Sequence, residues 1–339
     1  MTDGRTRIDH RSGLVVDGHV HGARFLPQPY RAMFRLVNRR TMPAAQSFAI
    51  LRPAGVDAAI ASAVGDPIVT RAWRGRPWDA VVNQLEQLST EINGAGCELA
   101  WEVADVGRAQ RAGRSAVLLG LEGADAIGSD LDRIDQLHRL GVRLIVPVHL
   151  NDNQIGTTAL PWQRYVGRLP VRRRSPGLTA FGRRAIQRMD KLGILVDVSH
   201  ADRSTVLDIA AATANPIIAS HTGARACQDF ARFLRDDEAL AIADSGGLIG
   251  LWPYRHRTTG IADAAAFEAH ARHLARVVGP EHLCIGTDMN GVPGVMDGFE
   301  GELDFHRLIG ILAADGFSES ELTGIAGENL LRVMAAVIG

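Results

Sequence analysis

Short apolar runs alternate along the chain with longer segments in which apolar residues recur at helical spacing. The runs are mostly β-branched or aliphatic and lack polar alternation, which is typical of strands buried on both faces of a parallel sheet. The pattern predicts eight strands, at residues 14–16, 56–63, 116–121, 142–148, 194–198, 216–219, 248–251 and 283–286. Between them it predicts helices, the clearest at residues 79–93, 130–140, 178–192, 204–212 and 262–278.

This alternation of strand and helix predicts a parallel α/β fold. Eight units in 339 residues fit a (β/α)8 barrel of the TIM type, forming a single domain over residues 1–339. An open, doubly wound sheet is the alternative, but the first strand leads into DGHVHG instead of a glycine fingerprint for a dinucleotide. Two segments, residues 23–53 and 151–177, do not fit the repeating strand–helix unit and are predicted to be long loops. They follow the first and fourth strands, on the face that carries active sites in such barrels.

The composition narrows the class of protein. With 37 Lys and Arg against 38 Asp and Glu, the formal net charge is -1, whereas a dedicated nucleic-acid binder carries a clearly basic domain. The hydrophobic content of 46% excludes general disorder. No apolar run reaches the roughly 18 residues of a membrane span, and the start MTDGRTRIDHRSG is too polar for a secretory signal. Because the cysteines also form neither a disulfide framework nor a metal knuckle, we expect a cytoplasmic protein without nucleic-acid or membrane partners.

Imidazole and carboxylate side chains stand at the ends of most of the predicted strands. Parallel strands that close into a barrel bring these ends together at one mouth, because the packed interior excludes such polar groups. The residues are His19 and His21 after the first strand, Glu122 after the third, His149 after the fourth, His200 after the fifth, His221 after the sixth and Asp288 after the eighth. Their convergence predicts a metal site.

The donor types indicate which ions this site would hold. Imidazole and carboxylate suit Zn2+, Fe2+, Mn2+ or Co2+, whereas Mg2+ and Ca2+ prefer oxygen ligands alone. His19 and His21 flank one residue of an extended strand and therefore share a face, which is a chelating arrangement. His200 and His221 follow adjacent strands and would form a second nucleus. Glu122 is placed by strand order to bridge the two nuclei, and two ions about 3.5–4 Å apart would bind and activate one water between them.

The remaining candidates concern the bridge and the proton acceptor. Some binuclear barrels bridge their metals with a carboxylated lysine, but the only lysine, Lys191, precedes its strand and lies at the wrong end of the barrel. Glu122 is therefore the expected bridge, and Asp288 is expected to hold one metal and to take the proton from the attacking water. Asp17 and Asp197 precede metal histidines and would either support those ligands as hydrogen-bond acceptors or cap the backbone.

At these residues the chain resembles the membrane (renal) dipeptidase family, within the amidohydrolase superfamily of barrel metallohydrolases. The resemblance extends over residues 14–333 and agrees in order, spacing and flanking residues. The segments that carry it are LLGLEGAD, LGVRLIVPVHLNDN, GLTAFGRRAIQRMDKLGILVDVSHAD, NPIIASHTGARA, SGGLIGLWPY, HLCIGTDMNG and GENLLRV.

The resemblance implies roles for individual residues. It implies that Glu122 bridges two zinc ions, that His200 and His221 hold one of them, and that His19 and Asp288 hold the other. The remaining implied roles concern the substrate: His149 polarises the scissile carbonyl and stabilises the oxyanion, Arg232 binds the substrate's carboxylate, and Tyr254 lines the same pocket. The segment QDFARFLRDDEAL departs from the family's usual Arg-Asn pair, so Arg225 and Arg235 are alternatives to Arg232.

A larger departure lies at the first strand. The family usually has histidine, any residue and aspartate, whereas this chain has His19, Val20 and His21, the His-x-His form of the wider superfamily. His21 can still bind metal, but the site then carries one fewer negative charge. The metal preference, the acidity of the bound water and the fit of a dipeptide's free amine would all change.

These observations converge on one hypothesis and leave alternatives open. The hypothesis is a metal-dependent hydrolase that cleaves the amide bond of a dipeptide or dipeptide-like small molecule through a hydroxide bridging two divalent ions, with zinc expected. The first alternative is a non-peptidase amidohydrolase acting on another small amide, lactam or ester, and the second is an inert binding barrel. A homodimer is common in the family. The basic segment GRLPVRRRSP is either a solvated loop or a surface that recognises an acidic substrate or a neighbouring subunit.

Overall fold

Strands and helices alternate through the structure, a computed structural model that describes residues 13–28, 30–37, 43–166, 171, 174–256 and 258–339. The segment GRLPVRRRSP, residues 167–176, lies largely outside these residues. Antiparallel β9 (Arg255–His256) and β10 (Thr259–Gly260) form a separate hairpin. The other strands form one sheet: β1 (Val16–Val20), β2 (Ala58–Val64), β3 (Glu98–Ala100), β4 (Ala116–Glu122), β5 (Val142–Val146), β6 (Leu195–Asp197), β7 (Ile217–Thr222), β8 (Leu248–Leu251) and β11 (Leu283–Ile285).

The sheet follows the chain and closes on itself. Its order is β1-β2-β4-β5-β6-β7-β8-β11, and every neighbouring pair is parallel. Val20 pairs with Met289 at the seam between β1 and the end of β11, where His21 N donates to Met289 O at 2.8 Å. The predicted TIM-type barrel is therefore confirmed, and the open-sheet alternative is wrong.

Helices alternate with the strands in chain order. Those of the described residues are α1 (Tyr30–Val37), α2 (Leu51–Ala54), α3 (Pro67–Thr70), α4 (Pro77–Gly94), α5 (Val103–Arg111), α6 (Asp132–Arg139), α7 (Gln163–Val166), α8 (Ala180–Leu192), α9 (Arg203–Ala210), α10 (Asp236–Asp244), α11 (Ala264–Val278), α12 (Phe305–Ala314), α13 (Glu319–Thr323) and α14 (Asn329–Val337). Each of the five clearest predicted helices overlaps one of these. No helix in the described ranges has both the length and the apolar character that a membrane crossing requires.

The two long loops are present where the chain predicts them, but they contain helical turns. The loop after β1 includes α1 and α2, and the loop after β5 includes α7. In a parallel barrel both connections lie at the carboxyl ends of the strands. They therefore surround the same mouth as the strand-terminal polar residues.

Strand alternation explains which polar groups enter that mouth. Val16, Leu118 and Leu144 belong to one buried cluster to which many strands contribute. Glu122 lies four residues after Leu118 on β4, so the two side chains share one face of the strand. The register shifts between Asp17 and Val20 and between Ala219 and Thr222, beside His19 and His221. Such irregularities re-aim side chains next to functional sites, and sequence alternation does not reveal them.

Candidate metal centre

Glu122 is the centre of the polar cluster at the barrel mouth. Its Oε1 atom lies 3.5 Å from His19 Nε2, 3.1 Å from His200 Nε2 and 3.6 Å from His221 Nε2. The Nε2 atoms of His200 and His221 are themselves only 3.1 Å apart. All of these side chains are buried, so the imidazoles face the carboxylate in a site of low solvent access.

The second oxygen of Glu122 faces two further imidazoles. Its Oε2 atom lies 3.3 Å from His21 Nε2 and 3.5 Å from His149 Nε2. His21 Nε2 is also 3.4 Å from Asp288 Oδ1 and 3.3 Å from His19 Nε2. The structure thus brings all seven strand-terminal residues into one cluster.

The donor set of this cluster fits transition-metal ions. Among the described residues, three groups have ligand atoms within 4.8 Å of one another: His19, His21 and Glu122; Glu122, His149 and His200; and His19, Asp197 and His221. Nitrogen and carboxylate oxygen are the donors that Zn2+, Fe2+, Mn2+ and Co2+ accept. His149 and Asp197 belong to these groups although the sequence assigns them to the substrate and to ligand support.

Backbone and side-chain contacts orient some of the imidazoles. His21 Nδ1 lies 2.9 Å from the carbonyl oxygen of Ser62, and His221 Nδ1 lies 2.9 Å from Ser220 Oγ. These contacts leave both Nε2 atoms directed at Glu122, because the two ring nitrogens point in different directions. The Nδ1 atoms of His19 and His200 are buried without a hydrogen-bond partner among the described residues.

Asp17 and Asp197 brace the backbone behind these ligands. Asp17 Oδ1 accepts hydrogen bonds from the backbone nitrogens of His19 and Thr287, each at 3.0 Å. Asp197 accepts from the backbone nitrogens of Ser199 and Ser220. Neither carboxylate makes a hydrogen bond to a histidine ring within the described chain. Both therefore hold strand ends in place, as the capping alternative predicts.

Burial and mutual charge set the protonation of the cluster. Burial lowers the pKa of His19 to about 4 and lowers the pKa values of His200 and His221 well below the usual range. Neutral imidazole is the form that binds metal. Burial also opposes the charged form of His21, but hydrogen bonds with Asp288 and Glu122 outweigh it and raise the pKa of His21 to about 10. Although burial disfavours its charge, neighbouring His149 and His19 hold the pKa of Glu122 well below its usual value.

A pair of aspartates beside His149 was missed by the sequence analysis. Asp66 Oδ2 lies 2.6 Å from His149 Nδ1, and Asp125 Oδ2 accepts a hydrogen bond from Asn153 Nδ2 at 3.1 Å. Burial raises the pKa of Asp125 to about 7, and the nearby charge of Asp66 adds to this shift. The available signal for Asp66 is its place three residues after the end of the second predicted strand, in the segment AVGDP.

Arg232 lies in the wall beside the cluster. Its side chain is only 2% exposed, its Nε and Nη1 atoms have no hydrogen-bond partner among the described residues, and Nη2 donates to His221 O at 3.4 Å. The guanidinium lies 5.0 Å from the centre of the Trp252 ring, which stacks on Tyr254 at 4.0 Å. A buried guanidinium with spare donors is suited to binding a carboxylate.

The alternative arginines lie in different surroundings. Arg225 forms an ion pair with Asp229, and Arg235 is exposed at the start of α10. Since Arg232 is the one that contacts the backbone of His221, the geometry favours it over both alternatives.

Asp288 and Gly291 shape the remaining side of the cluster. Asp288 has a left-handed backbone with φ 55°, and its backbone nitrogen donates to His19 O at 2.8 Å. A Cβ atom at Gly291 would lie 2.1 Å from Asp288 Oδ1 and 2.5 Å from His21 Cδ2. Only glycine therefore leaves room for the Asp288 carboxylate beside His21.

Comparisons with known proteins agree on one family. The family model described as membrane dipeptidase (peptidase family M19) matches residues 9–338. An uncharacterized dipeptidase of Schizosaccharomyces pombe is 33% identical over 226 residues, covering 65% of this chain and 53% of the relative. Dipeptidase tcpJ of Claviceps purpurea is 27% identical over 256 residues, covering 75% of this chain and 58% of the relative. The chain thus spans little more than half the length of these curated relatives.

Solved structures agree on the fold. A metallopeptidase of Rhodobacter sphaeroides, liganded with a phosphinate mimic of the dipeptide L-Ala-D-Ala, has a TM-score of 0.80 and 21% identity, covering 96% of this chain and 99% of that one. The probable dipeptidase PvdM of Pseudomonas aeruginosa has a TM-score of 0.77 and 20% identity, covering 97% of this chain and 96% of that one. At these identities the likeness supports the barrel fold alone.

Proposed function

Because the chain belongs to the membrane dipeptidase family, we propose that it is a metal-dependent hydrolase that cleaves the amide bond of a dipeptide or dipeptide-like molecule. The observation that carries this proposal is Glu122, whose two carboxylate oxygens both face imidazole nitrogens in a buried cluster. A carboxylate between two sets of nitrogen donors has the arrangement that a bridging ligand requires.

We propose that two divalent ions, zinc by preference, bind on either side of Glu122. His200 and His221 would hold one ion, and His19, His21 and Asp288 would hold the other. When bound, such ions would lower the pKa of a water molecule, which supplies a nucleophile at neutral pH, and would polarise the amide carbonyl. The neutral imidazoles that burial favours at His19, His200 and His221 support this assignment.

The protein's own groups would perform the remaining steps. Asp288 accepts the proton that the attacking water loses and delivers it to the leaving amine nitrogen. His149 donates a hydrogen bond to the carbonyl oxygen as negative charge develops there. Arg232 binds the free carboxylate of the substrate, and Tyr254 completes that pocket with its ring stacked on Trp252.

A second candidate function rests on His21. Because His21 is an imidazole, Glu122 and Asp288 are the only two carboxylates among the proposed ligands. The metal-bound centre would therefore attract a substrate ammonium less strongly than one with aspartate at this position. This favours a substrate without a free amine, such as an N-acyl amino acid or another small amide, lactam or ester. Both candidates use the same Glu122-centred site.

Metal content measured together with hydrolysis rates tests these proposals. The panel would contain L,L-dipeptides, dipeptides with a D-residue at the C-terminus and N-acyl amino acids, so the preferred class separates the two candidates. We expect hydrolysis that depends on bound metal. Protein that binds no transition metal and hydrolyses no member of the panel would favour an inert binding barrel.

Replacement of the bridging carboxylate provides the first specific prediction. Glu122→Gln should lower metal content and reduce hydrolysis by at least about 100-fold, since even supporting groups of metal sites cost about 10–100-fold. Glu98→Gln, the same change on the short strand β3, is the control and should leave both measurements unchanged. Full turnover by a metal-free Glu122→Gln protein contradicts the proposal.

A further inference from the structure

Asp66 and His149 form a buried pair at the edge of the metal centre. Asp66 is 0% exposed and His149 is 9% exposed, and Asp66 Oδ2 lies 2.6 Å from His149 Nδ1. We assign the hydrogen of this contact to Nδ1, so that the carboxylate oxygen of Asp66 accepts it. The opposite nitrogen, Nε2, then faces the centre, 3.5 Å from Glu122 Oε2.

The Asp66 carboxylate is itself held rigidly by its other oxygen. Asp66 Oδ1 accepts hydrogen bonds from the backbone nitrogens of Ile68 at 2.7 Å and Val69 at 3.1 Å, at the start of α3. The carboxylate therefore cannot rotate towards His149 or away from it without losing these two bonds.

The preceding residue fixes the loop to the neighbouring strand. Gly65 N donates to Glu122 O at 2.8 Å, and a Cβ atom at Gly65 would lie 2.1 Å from the carbonyl oxygen of Gly123. This close approach keeps the end of β2 against the end of β4. The position of Asp66 is consequently set by the strand that carries Glu122.

From this geometry we infer that Asp66 is a positioning residue for catalysis, which holds His149 so that Nε2 is presented to the carbonyl oxygen of the scissile amide. The inference rests on the proposed function, because it assigns His149 a role in that reaction. Orientation matters here because a misplacement of about 1 Å can cost about 100-fold in rate.

The competing explanation is that Asp66 only caps α3. Asn caps a helix as well as Asp does, so Asp66→Asn retains the cap while it removes the charge and places an amide against Nδ1. We expect kcat to fall by about 10–100-fold and KM to change by less than about threefold, with unchanged metal content. Asp263→Asn makes the same substitution at the N-cap of α11 and is expected to leave kcat within about twofold.

A double-mutant cycle connects this loss to His149. In a His149→Asn background, Asp66→Asn is expected to change kcat by less than about twofold, because the group that it positions is already absent. The inference is overturned if the Asp66→Asn loss is the same in both backgrounds, or if lost metal content accounts for it.

An NMR measurement tests the pair without reference to activity. The wild-type protein should show a downfield Nδ1 proton resonance of His149, assigned by its disappearance in His149→Asn, and Asp66→Ala should abolish it. Absence of this resonance from the wild type overturns the inference.

Failure of the inference and failure of the proposed function can be told apart. If the wild type cleaves no member of the panel, the proposed function fails while the resonance still decides the Asp66 contact. If dipeptides are cleaved but the cycle is additive, the inference alone fails.

Discussion

Gly291 keeps the space between Asp288 and His21 free of side-chain atoms. The turn that contains it is tight, because Asp288 adopts a left-handed backbone and Gly291 N donates to Asp288 O at 3.0 Å. The backbone therefore offers little freedom to accommodate a methyl group by moving away.

We predict that Gly291→Ala displaces the Asp288 carboxylate and lowers metal content, because its new Cβ atom would lie 2.1 Å from Asp288 Oδ1. The cost in metal affinity should be about 10–100-fold, as for other disturbances beside metal ligands. Metal titration checks this. Gly310→Ala is a matched control, since nothing lies within 4 Å of the added atom in α12. Unchanged metal affinity in Gly291→Ala would contradict the prediction, because it would show that the turn moves to accommodate the methyl group.

At this scale the candidate ligands are visible in the sequence, because each interrupts or follows an apolar run. Their individual contacts are not visible. The shift in register beside His19, the contact of Asp66 with His149 and the close approach of Asp288 and His21 to Gly291 depend on how separate strands approach one another. The sequence predicts Asp197 to be either a support for the metal histidines or a backbone cap, and the structure places its carboxylate near His19 and His221.

The connection after β4 is an element in which burial conflicts with charge. It carries Asp125 in a short 3-10 turn, with its carboxylate close to Asp66 and bonded to Asn153. The pKa of Asp125 is raised to about 7 by burial, so the folded protein retains a proton that an unfolded chain loses near pH 4.

This difference predicts a pH dependence of stability. Between about pH 4 and pH 7 the folded state binds more protons than the unfolded state at Asp125, so the free energy of unfolding contributed by this group falls as pH rises. Asp125→Asn should therefore show a shallower decline than the wild type over that window. Urea unfolding of metal-free protein at a series of pH values measures it, with exposed Asp132→Asn as the control. Parallel wild-type and Asp125→Asn curves would contradict the prediction.

Most elements are predictable from sequence because buried parallel strands are continuous apolar runs and the outer helices are amphipathic. The exceptions have physical reasons. β3 has three residues, two of them half-buried, and pairs only with the start of β4, so it leaves almost no pattern. β1 and β7 extend beyond their apolar runs because polar residues there are satisfied inside the barrel, as Asp17 is by Thr287.

At the scale of the whole molecule, ligands from strands distant in the chain meet at one mouth. Metal that binds this assembled cluster stabilises the folded state, since the unfolded chain does not present the same site. We also propose that the described barrel unfolds as a single domain.

An assembled metal cluster in a single-domain barrel predicts one calorimetric result. Metal at about 100 times its Kd should add about 2.7 kcal/mol to the free energy of unfolding and raise Tm by several degrees, in one cooperative transition. A chelator should reverse the shift, and Glu122→Gln should show a smaller one. Two separated transitions would indicate more than one domain, and a Tm that does not respond to metal would contradict the assembled site.

The barrel is predictable because eight strand–helix units fill this length and the first strand leads into DGHVHG instead of a dinucleotide fingerprint. The substrate is not predictable in the same way, because it depends on how side chains such as Arg232 and His21 combine in three dimensions. The family match indicates the class of reaction, and we propose that the charge of this centre selects among small amides.

The seam between β1 and β11 has a consequence for biosynthesis. His19 and His21 emerge from the ribosome early, whereas Asp288, whose backbone nitrogen donates to His19 O, is made more than 260 residues later. A nascent chain that stops short of this aspartate lacks a proposed metal ligand and the hydrogen bond from Asp288 N to His19 O at the seam. Metal capture during translation would therefore be confined to its final stage, and release of an incomplete chain would yield a product that cannot retain the ion.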